Sequence, residues 1–469
     1  MMKKYLFPIL LLVCIVRSGP AQNLSDRAQP SSDPSQKYQG VGGGLGASIF
    51  QGKPYLLLNA ATQFELWKTL GIGIDGNIRI GSDGKFRKED FDDWYDALRW
   101  ISYIRIGHPG EDLYARIGGL NNVTLGHGTI VDNYSNNSSY DDRRIGLIGR
   151  IDMGAFGGDA FTSDVLVNKG LVAGRGFVRP FQFVPLLGKN WFFSNIELGG
   201  TASYDFDTNA VRIIPNHPPY VQVFHVKNGD EVRDSIVILK DSARVPSPLT
   251  VYGVDASVTV WKSDNLEGKV YGDYVDIVHF NQGFMFGARS SFLLDSSTFV
   301  DLRLERYLFK NHFLPNYYNS FYERERFNDD IDTLSYITKA TRLADTSSGE
   351  GNGFKFGSFF NFSDKVQVGV TYAHLDNLRH ADLLQISLTF PKIWWKFFGA
   401  INYMKSNIDG PKDYIGFNEN TLASARLSFQ PYKFLVFNLL MRWTFTRDAN
   451  NHVSTQSIIE PKAVFIARF

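Results

Sequence analysis

Between Lys433 and Thr446, Leu435, Phe437, Leu439, Met441, Trp443 and Phe445 fall on one face of an extended chain, while Asn438, Arg442 and Thr444 fall on the other. Successive side chains of a strand point to opposite faces, so this period of two predicts a strand whose faces meet different surroundings. Phe434, Val436 and Leu440 share the second face and blur the pattern without breaking it. The same alternation recurs in Val366 to Tyr372, Leu384 to Phe390, Ala423 to Phe429, Ile72 to Ile80 and Val300 to Glu305. Such strands exceed the usual five or six residues of soluble sheets and suit a tilted crossing of a bilayer.

Connections separate a membrane barrel from a soluble sandwich, which also alternates. Tight ones fall at Lys68-Thr69, His108 to Glu111, Leu294 to Ser297, Ser363-Asp364, Pro391-Lys392 and Gln430-Pro431. Long polar ones lie between them: Ser82 to Leu98, Asn121 to Arg143, Phe206 to Pro248, Lys310 to Asn352, Ser406 to Asn420 and Asp448 to Gln456. The two kinds keep register along the chain, which gives a barrel one end of short turns and one of long loops. The expected fold is all-β, a transmembrane antiparallel up-and-down barrel of about 18 strands, within a range of roughly 16 to 20. The count is least defined between Ala160 and Pro180.

The chain opens with Met1-Met-Lys-Lys, an apolar run from Tyr5 to Val16, then Arg17-Ser-Gly-Pro-Ala21-Gln22, the layout of a secretory signal peptide cleaved near Ala21. Residues 1–21 are therefore expected to be a leader, 22–41 a flexible periplasmic lead-in, and 42–469 the barrel with external loops 206–248 and 310–352. Cys14, the sole cysteine, lies in the leader behind Leu12 and Val13 rather than behind a small residue, which argues against a lipid anchor. The mature chain then has no disulfide and no cysteine ligand. Past the leader no apolar run reaches the roughly 18 residues of a membrane helix, so a crossing is made by strands. Loss of Lys3, Lys4 and Arg17 turns a formal charge of +1 into −2, a balance that argues against a nucleic-acid partner.

The end, Lys462-Ala-Val-Phe465-Ile-Ala-Arg468-Phe469, is an amphipathic strand closing on an aromatic residue. It resembles the C-terminal signal by which the barrel assembly machinery recognises Gram-negative outer-membrane proteins: a polar residue, glycine, then alternating hydrophobic positions. Lys462 and Phe469 fit, while Val464 stands where glycine is usual and Ala467 where an aromatic is preferred. Together with the barrel pattern, the chain is similar to porin-like outer-membrane proteins at the level of class. The resemblance implies an outer-membrane location, and the alternation of tight and long connections, counted back from the C-terminus, is expected to put both termini in the periplasm. The resemblance also implies outer-membrane lipids and the assembly machinery as partners, with Phe465 and Phe469 in the assembly signal.

Arg79, Arg105, Arg116, Arg150, Asp152, Asp301, Arg303, Glu305, Arg426 and Arg442 fall on faces expected to point inward. A luminal charge is tolerable only where water or a counter-charge meets it, so these residues predict either a wet, filtering pore or an ion-paired interior. Tyr317, Tyr318, Tyr322, Glu323 and Arg324 mix aromatic and charged groups in the Lys310 to Asn352 stretch. They are expected to present an external loop surface; folded inward they would form a constriction, and tyrosines at a membrane edge can also serve only as anchors. Val221 to Val226 and Ser235 to Lys240, around Asn228-Gly229-Asp230, read as a β-hairpin.

Asn121 to Gly128 and Gly154 to Asp159 lack the spacing of a nucleotide-binding loop and read as turns. His374 near Asp376 and His380 near Asp382 have no third ligand, so neither a metal nor a cofactor is expected. No Gly-x-Ser-x-Gly elbow is present, which argues against an enzyme. The leading expectation is a porin-like channel for small solutes. A structural or secretion-associated barrel plugged by its own loops comes next, and a lipase or protease last.

Overall fold

In the computed structural model, the alternating segments join edge to edge until the last strand meets the first. The structure describes residues 40–467 apart from residue 93 and the stretches 166–169, 207, 209–221, 229–230, 238–247, 327–338, 345–349, 377–380, 394–395, 409 and 448–452. The leader, the lead-in before residue 40, His380 and Phe469 lie outside the described residues.

Nine strands open the ring: β1 (Gly40–Phe50), β2 (Lys53–Leu66), β3 (Leu70–Gly81), β4 (Ile101–Ile106), β5 (Leu113–Gly118), β6 (Gly146–Asp152), β7 (Phe156–Thr162), β8 (Leu171–Val178) and β9 (Glu197–Asp205). β10 (Gln222–Asn228) and β11 (Glu231–Val237) pair only with each other, as the hairpin predicted around Asn228. β12 (Leu249–Lys262), β13 (Leu266–Ile277), β14 (Gln282–Asp295), β15 (Thr298–Phe309), β16 (Gly351–Phe362), β17 (Val366–Leu375), β18 (Asp382–Ile393), β19 (Phe397–Ile408), β20 (Thr421–Tyr432), β21 (Leu435–Arg447) and β22 (Val453–Ala467) complete it. The result is a closed antiparallel sheet of 20 strands. β7 and β8 occupy the stretch where the sequence pattern was least defined.

Closure depends on β1, which pairs with β2 on one side and β22 on the other, from Val41↔Ala467 to Phe50↔Ile458. Its glycines let the seam close tightly. A Cβ on Gly46 would lie 2.2 Å from the carbonyl oxygen of Pro461, so no other residue fits there without moving the strand.

The faces of the wall are reversed relative to a soluble barrel. Along β12, Asp255, Ser257 and Thr259 are buried, whereas Tyr252, Val254 and Val260 are exposed. Apolar side chains on the outside and polar ones within are what hydrocarbon outside requires. Aromatic residues mark both rims of this belt, with Tyr252, Phe284 and Phe354 toward one end and Trp67, Phe362 and Tyr432 toward the other, all exposed. Tyr252 and Trp261 are nine residues apart on β12, about 30 Å of strand, which a tilt near 40° reduces to about 23 Å. That is the height of an outer-membrane hydrocarbon band. The chain is an outer-membrane β-barrel.

The connections sort into two ends. The end where β1 begins and β22 finishes has the turns 67–69, 107–112, 153–155, 263–265, 296–297 and 363–365; the other has loops 82–100, 119–145, 206–248 and 310–350. Three connections depart from the rule: Gln51-Gly52 and residues 278–281 are tight at the long-loop end, and residues 179–196 make a long crossing at the terminal end. The bends predicted at Pro391-Lys392 and Gln430-Pro431 are irregularities inside β18 and β20, and the chain turns a few residues later. Proline interrupts a ladder at such places without ending the strand.

Candidate functional site

Loop 119–145 carries Val123, Leu125, Ile130, Val131 and Tyr134, apolar groups that gain by leaving water. It satisfies its own backbone first. Val123 and Tyr134 exchange both amide-to-carbonyl bonds at 2.9 Å, and the chain reverses through Gly126 and Gly128, both at positive φ. The folded loop then enters the lumen, where all five of these residues are at most 5% exposed.

Residues 310–326 fold inward as well and meet it. The Asp132 amide donates to the Tyr318 carbonyl (2.9 Å), the Tyr318 amide to the Ile130 carbonyl (3.0 Å), and the Asn316 amide to the Thr129 carbonyl (2.9 Å). Loops rooted in nearly opposite walls are thus joined by a short parallel ladder inside the barrel. Tyr317, Tyr318 and Tyr322 pack beside it with Phe313, in one cluster with Val131, Tyr134 and Leu343.

Charged pairs fix this plug to the wall on every side. At the tip of the first loop, His127 Nδ1 lies 2.8 Å from Asp273, its ring stacks on Tyr271 at 4.3 Å, and Thr129 donates to Asp273 at 2.5 Å. Asp132 accepts from Lys355 of β16 at 2.5 Å. At the far end of the same loop, Tyr140 accepts from Arg79 of β3 at 2.8 Å, Asp141 accepts from Gln456 of β22 at 2.8 Å, and Thr444 of β21 donates to the Ser138 carbonyl. The loop spans the lumen from the β12–β16 wall to the β21–β3 wall. In the second loop, Arg326 reaches Asp205 at 2.7 Å, Tyr322 donates to the same carboxylate, and Tyr134 donates to Glu323 at 2.5 Å. Burial, with the charge of Glu323 added, pushes the Tyr134 hydroxyl well above its ordinary range, so it stays a donor.

The residues expected on the inward face divide by partner. Arg79 is completely buried and holds Asp90 at 2.9 Å and Glu460 at 2.6 Å. Arg105 pairs with Glu65 at 3.0 Å, Arg150 with Asp159 at 3.5 Å, Asp152 with Arg179 at 2.9 Å, and Asp301 with Arg289 at 2.8 Å. Arg303 pairs with Glu305, which also accepts from Tyr271 at 2.9 Å and Tyr307 at 2.6 Å. Arg116, Arg426 and Arg442 line a cavity of ≈ 430 Å³ against the walls of β1–β4 and β20–β22. Gly40, Phe398 and Ile466 place its mouth at the terminal end, and Tyr140, Arg143 and Arg144 roof it from the plug.

Tyr317, Tyr318, Tyr322, Glu323 and Arg324 do not form an external surface. All are at most 6% exposed, because three adjacent rings gain more by packing against the first loop than by facing water. Phe465 is exposed on the outer face of β22. His374 sits at the end of β17, between Asp376 at 3.1 Å and Asp382 at 2.8 Å. Among the described residues no His, Cys, Asp and Glu cluster could hold a metal. The entry of loop 119–145 into the lumen was missed. Its spaced apolar residues, five in a stretch otherwise read as polar, are the signal that marks it.

No family model matches this sequence, and no curated protein matches it. Among solved structures, Wzi of Escherichia coli, described as a carbohydrate-binding outer-membrane β-barrel involved in group 1 capsule assembly, is similar over 94% of this chain and 89% of its own at 12% identity and a TM-score of 0.35. OprD of Pseudomonas aeruginosa is similar over 93% and 98%, at 9% identity and a TM-score of 0.31. The ferric-catecholate import receptor Fiu of E. coli is similar over 93% and 82%, at 11% identity and a TM-score of 0.35. The assignment as a barrel stands on the strand pairing and the reversed faces, not on these likenesses.

Proposed function

We propose that this chain is a porin-like outer-membrane barrel for small solutes that is selective rather than freely permeable, with its long-loop end held shut at rest by its own loops. One observation carries the reading: the ladder between Thr129–Asp132 and Asn316–Tyr318 crosses the lumen. A general diffusion pore of this strand number keeps an aqueous path from end to end. Here the path at the long-loop end is filled by aromatic side chains and backbone. Interior charges such as Arg79, Arg175, Arg326 and Lys355 are spent on wall-to-wall and wall-to-loop pairs, which supports a filled lumen over a wide filter. We read the protein as a binding and transport barrel rather than a catalyst.

In this reading both termini lie in the periplasm and the long loops face outward, as the unequal lengths of the two sets of connections support. The outer belt meets lipid, and β22 meets the assembly machinery during insertion.

Conductance in a planar bilayer tests the proposal. The refolded chain should show little steady current, and removing residues 121–143 should produce a large, ohmic one. A large steady current from the unaltered chain would overturn it. A permanent plug, and so a structural barrel, is the second reading, favoured by the apolar cluster around Val131 and Tyr318. It predicts no brief openings in long recordings, whereas a gated passage predicts them.

A further inference from the structure

The cavity beneath the plug is lined unequally in charge. Seven basic side chains line it against two carboxylates, Asp75 and Glu460, and of the seven Arg99 is paired with Asp96. Both acids already have hydrogen-bond partners. Glu460 accepts from Arg79 at 2.6 Å, and Asp75 accepts from Asn59 at 2.6 Å. Among the described residues no carboxylate pairs with Arg116, Arg143, Arg442 or Lys462.

Position adds to the count. Arg442 stands opposite Ser424, and Arg426 opposite Leu440, so the two arginines are diagonal neighbours on adjacent strands. Arg143 comes down from the roof, its guanidinium 4.1 Å from the Tyr140 ring centre, and Arg442 approaches the same ring at 5.9 Å. On the opposite wall Arg116 lies over Tyr103 at 5.5 Å, and its Nε is buried without a hydrogen-bond partner. Arg143 also donates to the Tyr140 carbonyl at 2.9 Å, but neither a carbonyl nor an aromatic face supplies a full counter-charge. Arg79, Arg175, Arg326 and Lys355, buried elsewhere in this barrel, each hold a carboxylate directly. Here like charges gather round a space, which is costly unless something negative enters it.

We infer that this cavity is a binding site for a small, multiply charged anion bearing carboxylate or phosphate groups. Guanidinium groups lining one cavity from the β20–β21 wall, the β5 wall and the roof suit a solute with more than one charged group, since each offers a planar fork to oxygen acceptors. Asn121, Asn137 and Asn438 add neutral polar groups to the lining. The cavity reaches the terminal rim, so occupancy does not require the plug to move, and the inference stands apart from the question of gating.

Calorimetry on the refolded full-length barrel in detergent tests it, with citrate and inorganic phosphate as probes and glucose as the neutral control. Citrate, phosphate or both should bind with an affinity that falls as salt rises, and glucose should not bind. Citrate alone would assign a carboxylate ligand and phosphate alone a phosphate one, and either supports the site. Arg442→Gln combined with Arg116→Gln should weaken binding at least about tenfold, while Arg289→Gln on a distant wall should leave it unchanged. Folding of each variant is checked by its heat-modifiable mobility. Absence of anion binding, equal binding of glucose, or unchanged affinity in the folded double variant would overturn the inference.

Discussion

The Tyr318 amide donates to the Ile130 carbonyl at 3.0 Å, joining loops that leave the barrel wall at β15 and at β5. The first supplies a hairpin that spans the lumen, and the second supplies the tyrosines that pack against it.

The seat of this plug depends on Lys355, buried in the wall 2.5 Å from Asp132. Lys355→Met leaves that carboxylate without its cation, a change that costs about 3–5 kcal/mol in buried pairs. The variant should show frequent openings in single-channel recordings, and adding Asp132→Asn should quieten them. A silent Lys355→Met channel in a correctly folded barrel would show that the plug is not held there.

Alkaline pH should loosen the base of the plug in a defined window. The Tyr95 hydroxyl donates to Asp164 at 3.0 Å and accepts from the Ile145 amide at 2.8 Å, tying loop 82–100 to the foot of loop 119–145. Burial, reinforced by the Asp164 charge, pushes this hydroxyl up to about 12, despite the opposing bond from Ile145. The fold thus holds the neutral donor. Its contribution is fully present below the ordinary tyrosine value near 10 and is lost as pH rises through about 12. Proteolysis within residues 82–100 should accelerate across that window, and in Tyr95→Phe the step should vanish.

Adjacent positions on β21 should respond oppositely to the same charge. Leu439 shares the outer face with exposed Phe437 and stands opposite exposed Leu427, whereas Asn438 lines the cavity. Leu439→Arg should cost about 2–4 kcal/mol in lipid refolding titrations, near the value for arginine at mid-bilayer. Asn438→Arg loses the 2.6 Å bond from Ser428 but keeps access to water, and should cost clearly less. Equal costs would remove the case for a lipid-facing wall at this strand.

The seam offers a glycine pair as a test. Gly46→Ala should prevent closure, because its Cβ would meet the Pro461 carbonyl at 2.2 Å, whereas Gly43→Ala meets nothing within 4 Å. Heat-modifiable mobility should be lost in the first and kept in the second. If both close normally, β22 can shift to accommodate the added carbon.

The wall of this barrel was determined locally. Leu439 against Asn438, and Leu302 against Arg303, already specify which side meets hydrocarbon, because strand geometry alone sends neighbours to opposite faces. Connection lengths likewise marked the two ends, and the predicted hairpin around Asn228 formed as read. The lumen could not be read in this way. Arg79 and Arg442 look alike in the sequence, yet Arg79 meets Glu460, brought beside it only when β22 closes against β1, and Arg442 meets a cavity. Tyr318 looked like a surface tyrosine until the fold placed Ile130 next to it. Alternation is a property of one strand, whereas the partner of an inward charge or an inward loop is chosen by ring closure, which brings distant parts of the chain into one space that water would otherwise fill.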